Sequence, residues 1–119
     1  MRVLVVADDL FFRSKIEATL GALGFSPHGV ATAEQLLQAF AEENYRMAVV
    51  DLNGSMIDSL QSIRRIRQKM PAVTILGFCS HIQKELEQQA YAAGCTQVLP
   101  RSQLVQALPA LLEGSSHKA

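Results

Sequence analysis

At 119 residues, with 49% hydrophobic and 18% charged residues, the chain is long enough for one globular core and too apolar for a disordered segment. Eleven basic residues balance eleven acidic ones, so no net field draws nucleic acid or an anionic membrane. No apolar run approaches the roughly 20 residues of a membrane span, and the N-terminus lacks the basic, apolar and small-residue order of a signal peptide, so the expected location is the cytoplasm, with no membrane insertion.

Short β-branched runs then alternate with helical periods. "RVLVV" reads as a strand, and it gives way to two acids, Asp8 and Asp9, before Phe12, Ile16, Leu20 and Leu23 recur at helical spacing. Gly24 is placed as the stop of that helix. "HGVA" is a weak second strand, and Thr32 with Gln35 forms a capping box before Leu36, Leu37 and Phe40. "YRMAVVDL" is a third strand ending at Asp51. After it, Ser55 with Asp58 is expected to cap a helix that turns Leu60, Ile63 and Ile66 inward and leaves "RRIRQK" in water. "AVTILGF" is the fourth strand, Ser80 and Gln83 are expected to box the next helix, and "TQVLP" is a short fifth strand.

A Leu-rich helix closes the chain, with Leu104, Leu108, Leu111 and Leu112 on its apolar face and Ser102 as its expected cap. Pro109 lies well inside it and should kink the helix or force it to restart, since the missing N–H and the ring clash cost about 3 kcal/mol. Residues 115–119 read as a polar tail after a domain spanning 1–114. Cys79 and Cys95 stand in no CxxC pair or histidine cluster and are expected as buried free thiols. His28, His81 and His117 are scattered and make no triad or metal set.

Strict alternation of strand and helix, with strands apolar on both faces, implies a doubly wound α/β fold: a five-stranded parallel sheet flanked by five helices, flavodoxin-like in class. Ligands in such sheets gather beyond the carboxyl ends of the strands, which directs attention to Asp8, Asp51, Cys79 and the Pro100–Arg101 pair. Carboxylates from adjacent strand ends can hold a hard cation, and Mg²⁺ commonly takes one or two of them with several waters. An Asp ending the apolar run "MAVV" is costly unless it meets a cation or hydrogen-bond donors. A flavin or nucleotide site would need a Gly- or Ser/Thr-rich phosphate loop that the chain lacks.

Over essentially its whole length the chain resembles the receiver domain of bacterial response regulators, the CheY-like family. "VVDLNGSMIDSLQSIRRIR" matches the family's acceptor segment without a gap, and "AAGCTQVLPRS" resembles its "GADDYLPKP" stretch. The resemblance implies that Asp51 is the phospho-acceptor and that Mg²⁺ is held by Asp8, Asp51 and the backbone carbonyl of Asn53, with Asp9 as a further candidate. It also implies phosphoryl contacts from Arg101, Cys79 and Ser80, and a switch position at Val98. The implied partners are a histidine kinase or phosphotransfer protein and an unidentified output protein, with no effector domain expected after residue 119.

Several of those positions depart from the family pattern. Ala7 replaces the first of the paired acids, while Asp9 either compensates or caps the first helix. Cys79 stands where the family has a hydroxyl, and a thiol is the weaker donor. Arg101 replaces a lysine, Val98 an aromatic residue, and Gly54–Ser55 the common Met-Pro. The sequence therefore supports two readings, a phosphorylation-operated receiver and a pseudo-receiver in which an Asp51–Arg101 ion pair imitates one switch state.

Overall fold

The computed structural model describes residues 1–42, 45–81 and 83–116, with side chains through Glu113. The strands are β1 (Arg2–Val6), β2 (Ser26–Val30), β3 (Tyr45–Asp51), β4 (Thr74–Cys79) and β5 (Gln97–Pro100). The helices are α1 (Leu10–Ala22), α2 (Ala33–Ala39), α3 (Ser59–Lys69), α4 (Lys84–Ala93) and α5 (Arg101–Ser116), in strict alternation with the strands. All strand pairs are parallel and the order is β2-β1-β3-β4-β5. The expected doubly wound fold is what the chain adopts.

Alternation along each strand sorts the core into two layers, because successive side chains point to opposite faces. Val3, Val5, Met47, Val49, Leu76 and Phe78 pack against Ile16 and Leu20 of α1 and the leucines of α5. Leu4, Val6, Ala48, Val50 and Ile75 face the other way, onto Leu36 of α2, Ile63 and Ile66 of α3 and Ala90 of α4. Burial on both faces explains why these strands read as continuous apolar runs. Both cysteines are buried free thiols, as the sequence suggests.

The helix starts obey local chemistry only in part. Asp9 caps α1, and Gly24 follows its end with φ +89, a left-handed conformation that glycine adopts without a Cβ penalty. Thr32 caps α2 by accepting the Gln35 N–H at 3.1 Å, while the Gln35 side chain accepts from Ala31 rather than from Thr32. Helix α3 begins three residues later than a Ser55 cap would set it: Asp58 is itself the N-cap, accepting the Gln61 N–H at 3.0 Å, and the Ser55 N–H is drawn away to Asp8. The Ser80–Gln83 box does not form either. Gln83 occupies the N-cap of α4 without a side-chain bond, because the chain leaving β4 is tied back to the β3–α3 loop.

Two expectations at the surface are also corrected. Arg67 is not part of a solvated face; it is half-buried and donates to the carbonyls of Gly94 (2.7 Å), Pro71 (2.9 Å) and Val73 (2.6 Å), pinning α3 to the loops before β4 and β5. Ser102 lies inside the first turn of α5 instead of capping it, since that helix starts directly at Arg101. Helix α5 runs as one helix through Pro109, so of the two alternatives there, a kink or a restart, the restart does not occur. Leu104, Leu108 and Leu112 are all but fully buried on both sides of that position, and burial of each contributes roughly 1.5–3 kcal/mol. Together they outweigh the proline penalty of about 3 kcal/mol. Pro109 is exposed, so its ring falls on the solvent side of the helix. Of the tail expected at 115–119, the last three residues, His117 included, lie outside the described residues.

Candidate functional site

The sheet order reverses direction between β1 and β3, and the chain ends leaving these strands form the crevice where a doubly wound fold places its ligands. Asp8 and Asp9 follow β1, Asp51 is the last residue of β3, Cys79 the last of β4, and Arg101 the first after β5. Asp51 is only 3% exposed. Its Oδ1 accepts the Asn53 N–H at 2.9 Å, and its Oδ2 faces Arg101 Nη2 at 4.0 Å. Burial raises the Asp51 pKa; the Asn53 N–H and Arg101 oppose that rise, and the nearby charges of Asp8 and Asp9 add to it.

The two acids after β1 have different surroundings. Asp9 accepts the N–H groups of Phe11 and Phe12 through Oδ1, while its Oδ2 lies 3.8 Å from Arg101 Nη1. Asp8 reaches across to the β3–α3 loop, where its Oδ2 accepts the N–H groups of Ser55 at 3.0 Å and Met56 at 2.6 Å. Ala7, the residue before these two acids, is buried with the α1-side core.

Arg101 is steered by its neighbours without being fully engaged. Its guanidinium lies 5.0 Å from the centre of the Phe12 ring, within cation–π range. Both of its carboxylate contacts exceed ordinary hydrogen-bond length, and its Nε is buried without a partner.

On the β4 side, the Ser80 N–H donates to Asn53 Oδ1 at 2.6 Å, and the Ser80 hydroxyl lies 3.4 Å from His81 Nδ1. Burial pushes the Cys79 thiol pKa up, the Gln83 N–H opposes this, and Glu87 and Asp51 reinforce it; the sulfur therefore stays a neutral thiol. Val98 is buried in β5, and its N–H donates to the hydroxyl of Tyr91 on α4 at 3.1 Å. His28 lies away from these residues, bonded to the Tyr45 hydroxyl at 3.1 Å.

A match to the model of the response regulator receiver domain spans residues 3–113. The chain belongs to that family. It is similar to a CheY-like receiver protein from Methanospirillum hungatei JF-1, with a TM-score of 0.82 at 16% identity over 99% of this chain and 98% of that one. A LuxR-family two-component response regulator from Aurantimonas sp. SI85-9A1 superposes with a TM-score of 0.77 at 25% identity, covering 95% of this chain and 85% of that one. A response regulator from Burkholderia pseudomallei, described with a phosphorylated aspartic acid, a calcium ion and citrate, gives 0.84 at 20% identity, covering 99% of this chain and 72% of that one. Among curated proteins, the transcriptional activator ExaE of Pseudomonas putida is 29% identical over 104 residues, 86% of this chain and 49% of that protein. The chain thus spans about half the length of that relative.

Receiver domains are regulatory units of two-component signalling that interact with kinases or phosphotransfer proteins and typically bind Mg²⁺. The oxygen donors here suit a hard cation: Asp8 keeps Oδ1 outside its backbone bonds, and Asp51 Oδ1 accepts one N–H and retains a second lone pair. Among the described residues, no group of three His, Cys, Asp or Glu residues is close enough to hold a metal by side chains alone. No described helix is long and apolar enough to cross a membrane.

Sequence reasoning missed the side-chain role of Asn53, the Phe12 ring beside Arg101 and the Tyr91 hydroxyl on Val98. Only the aromatic character of Phe12, one helical turn from the acids, offered a local signal.

Proposed function

We propose that this receiver is operated by phosphorylation on Asp51 and signals through contact with another protein surface. The observation that carries this is the buried Asp51 carboxylate at the end of β3, with one oxygen fixed by the Asn53 N–H and the other turned toward an incompletely engaged guanidinium. In the transfer, Asp51 Oδ2 attacks the phosphorus of a phosphohistidine on a histidine kinase or phosphotransfer protein. The new O–P bond forms as the N–P bond breaks, and the leaving imidazole takes up a proton. Arg101 offers paired N–H donors to the phosphoryl oxygens, with further donors from Ser80 and the weaker Cys79 thiol.

Mg²⁺, held by Asp8, Asp51 and the Asn53 carbonyl with Asp9 nearby, would supply charge neutralisation to the transferring group. With Ala7 in place of an acid, that site is weaker than a two-acid site. Residues 1–114 are taken as the functional unit. Output passes over the surface of α4, β5 and α5 without an aromatic residue at Val98.

The second reading, a constitutive pseudo-receiver, is favoured by the Arg101–Asp51 contact at 4.0 Å, which already places a positive charge beside the acceptor. Incubation with Mg²⁺ and acetyl phosphate followed by intact mass measurement separates the two readings. One added phosphoryl group, lost in Asp51→Asn, supports phosphorylation; an unchanged mass supports the pseudo-receiver.

A further inference from the structure

An open cleft of about 840 Å³ lies between α1 and α5, within the size range of small-molecule sites. Phe12, Ala18 and Val105 give it an apolar lining, Lys15 and Arg101 contribute two cations, and no carboxylate lines it. Lys15 is exposed and forms no ion pair among the described residues. Arg101 carries five N–H donors; its ion-pair contacts, to Asp9 at 3.8 Å and Asp51 at 4.0 Å, are longer than hydrogen bonds, and its Nε has no partner. The cleft also borders the first turn of α5, a 16-residue helix whose N-terminal N–H groups carry partial positive charge. An apolar lining beside unspent donors and two cations is complementary to one kind of ligand.

We propose that this cleft binds a small amphipathic organic anion, its acid group between Lys15 and Arg101 and its apolar body against Phe12, Ala18 and Val105. The cleft does not include the Asp8 and Asp51 carboxylates, but it shares Arg101 and Ser80 with the proposed phosphoryl site. Building on the reading of Asp51 as acceptor, a bound anion and a phosphoryl group compete for one guanidinium, so each weakens the other reciprocally.

The test uses 8-anilinonaphthalene-1-sulfonate as the anionic probe and uncharged N-phenyl-1-naphthylamine as its neutral counterpart. Saturable fluorescence with the anionic probe is expected, with amide shifts centred on Phe12, Lys15 and Val105. Binding should weaken about tenfold or more in both Lys15→Glu and Ser102→Glu, a change of at least about 1.4 kcal/mol. Ser102→Glu places an acid in the first turn of a helix, where it favours the fold, so its loss of binding cannot be ascribed to unfolding. Equal binding of the neutral probe, shifts centred elsewhere, or unaltered affinity in both variants would overturn the proposal. Competition with phosphodonor is scored separately: anion binding without competition retains the site and refutes only its coupling to Asp51.

Discussion

Replacing Asp8 by Ala should loosen the β3–α3 loop before any question of metal arises. The Asp8 Oδ2 accepts two backbone N–H groups 47 and 48 residues away, from Ser55 and Met56. Hydrogen bonds to a charged group contribute about 1.5–3 kcal/mol each. Asp8 is half-buried, both bonds share one oxygen, and losing its charge relieves the repulsion with Asp51, so the expected net loss falls below two full bonds, to about 2 kcal/mol. With an unfolding entropy of roughly 2.1 cal/mol/K per residue, a chain of 119 residues has about 0.25 kcal/mol/K, and the loss should lower Tm by about 8 °C. Thermal unfolding in metal-free buffer measures that shift, and amide exchange locates it. Ser55 and Met56 should be protected in the wild type and exchange faster in Asp8→Ala. An unchanged Tm, or equal exchange at both amides, would show that the Asp8 clasp does not hold the loop.

Other perturbations probe the charges and the helix. Asp51→Asn should be more stable than wild type at neutral pH: burial raises the folded pKa above its ordinary 3.8, so the wild type loses stability as pH rises from that value through the folded one. Urea midpoints across pH should show the gap closing below about pH 3.9, and a variant less stable than wild type at pH 7 would contradict the sign. Ala7→Asp should tighten Mg²⁺ binding in a titration while destabilising the metal-free protein, because Ala7 is 1% exposed and a carboxylate there is buried without a cation. Unchanged or weaker Mg²⁺ affinity would mean that residue 7 does not face the site. Pro109→Ala restores an N–H in the exposed face of α5 and should stabilise by about 2 kcal/mol, the proline penalty less its effect on the unfolded chain. An unaltered denaturation midpoint would show that the helix already compensates for it.

The parts of the structure that were legible in the sequence share one physical basis, and so do the parts that were not. Period-2 and period-3.6 apolar spacing is imposed by the layers, so the five strands, the five helices and the strand-end positions of Asp51 and Cys79 could be read directly. Local caps were legible at Asp9 and Thr32, whose partners lie within three residues, but not at Asp58, which was read as the partner of a Ser55 cap. They failed where a distant group took the same donor or acceptor. The Ser55 N–H goes to Asp8 and the Ser80 N–H to Asn53, and neither competition leaves a local pattern. Arg67 looked solvated because its acceptors, the carbonyls of Gly94, Pro71 and Val73, are backbone atoms that carry no residue-type signature. The restart considered at Pro109 does not occur, because local propensity does not register the burial of Leu104, Leu108 and Leu112.

The central claim, that Asp51 accepts a phosphoryl group, is tested most directly by the intact mass of the protein after incubation with acetyl phosphate and Mg²⁺. The account predicts an increase of one phosphoryl group in wild type, abolished by Asp51→Asn and reduced by Arg101→Ala. No mass change in wild type, or an equal change in Asp51→Asn, would contradict it.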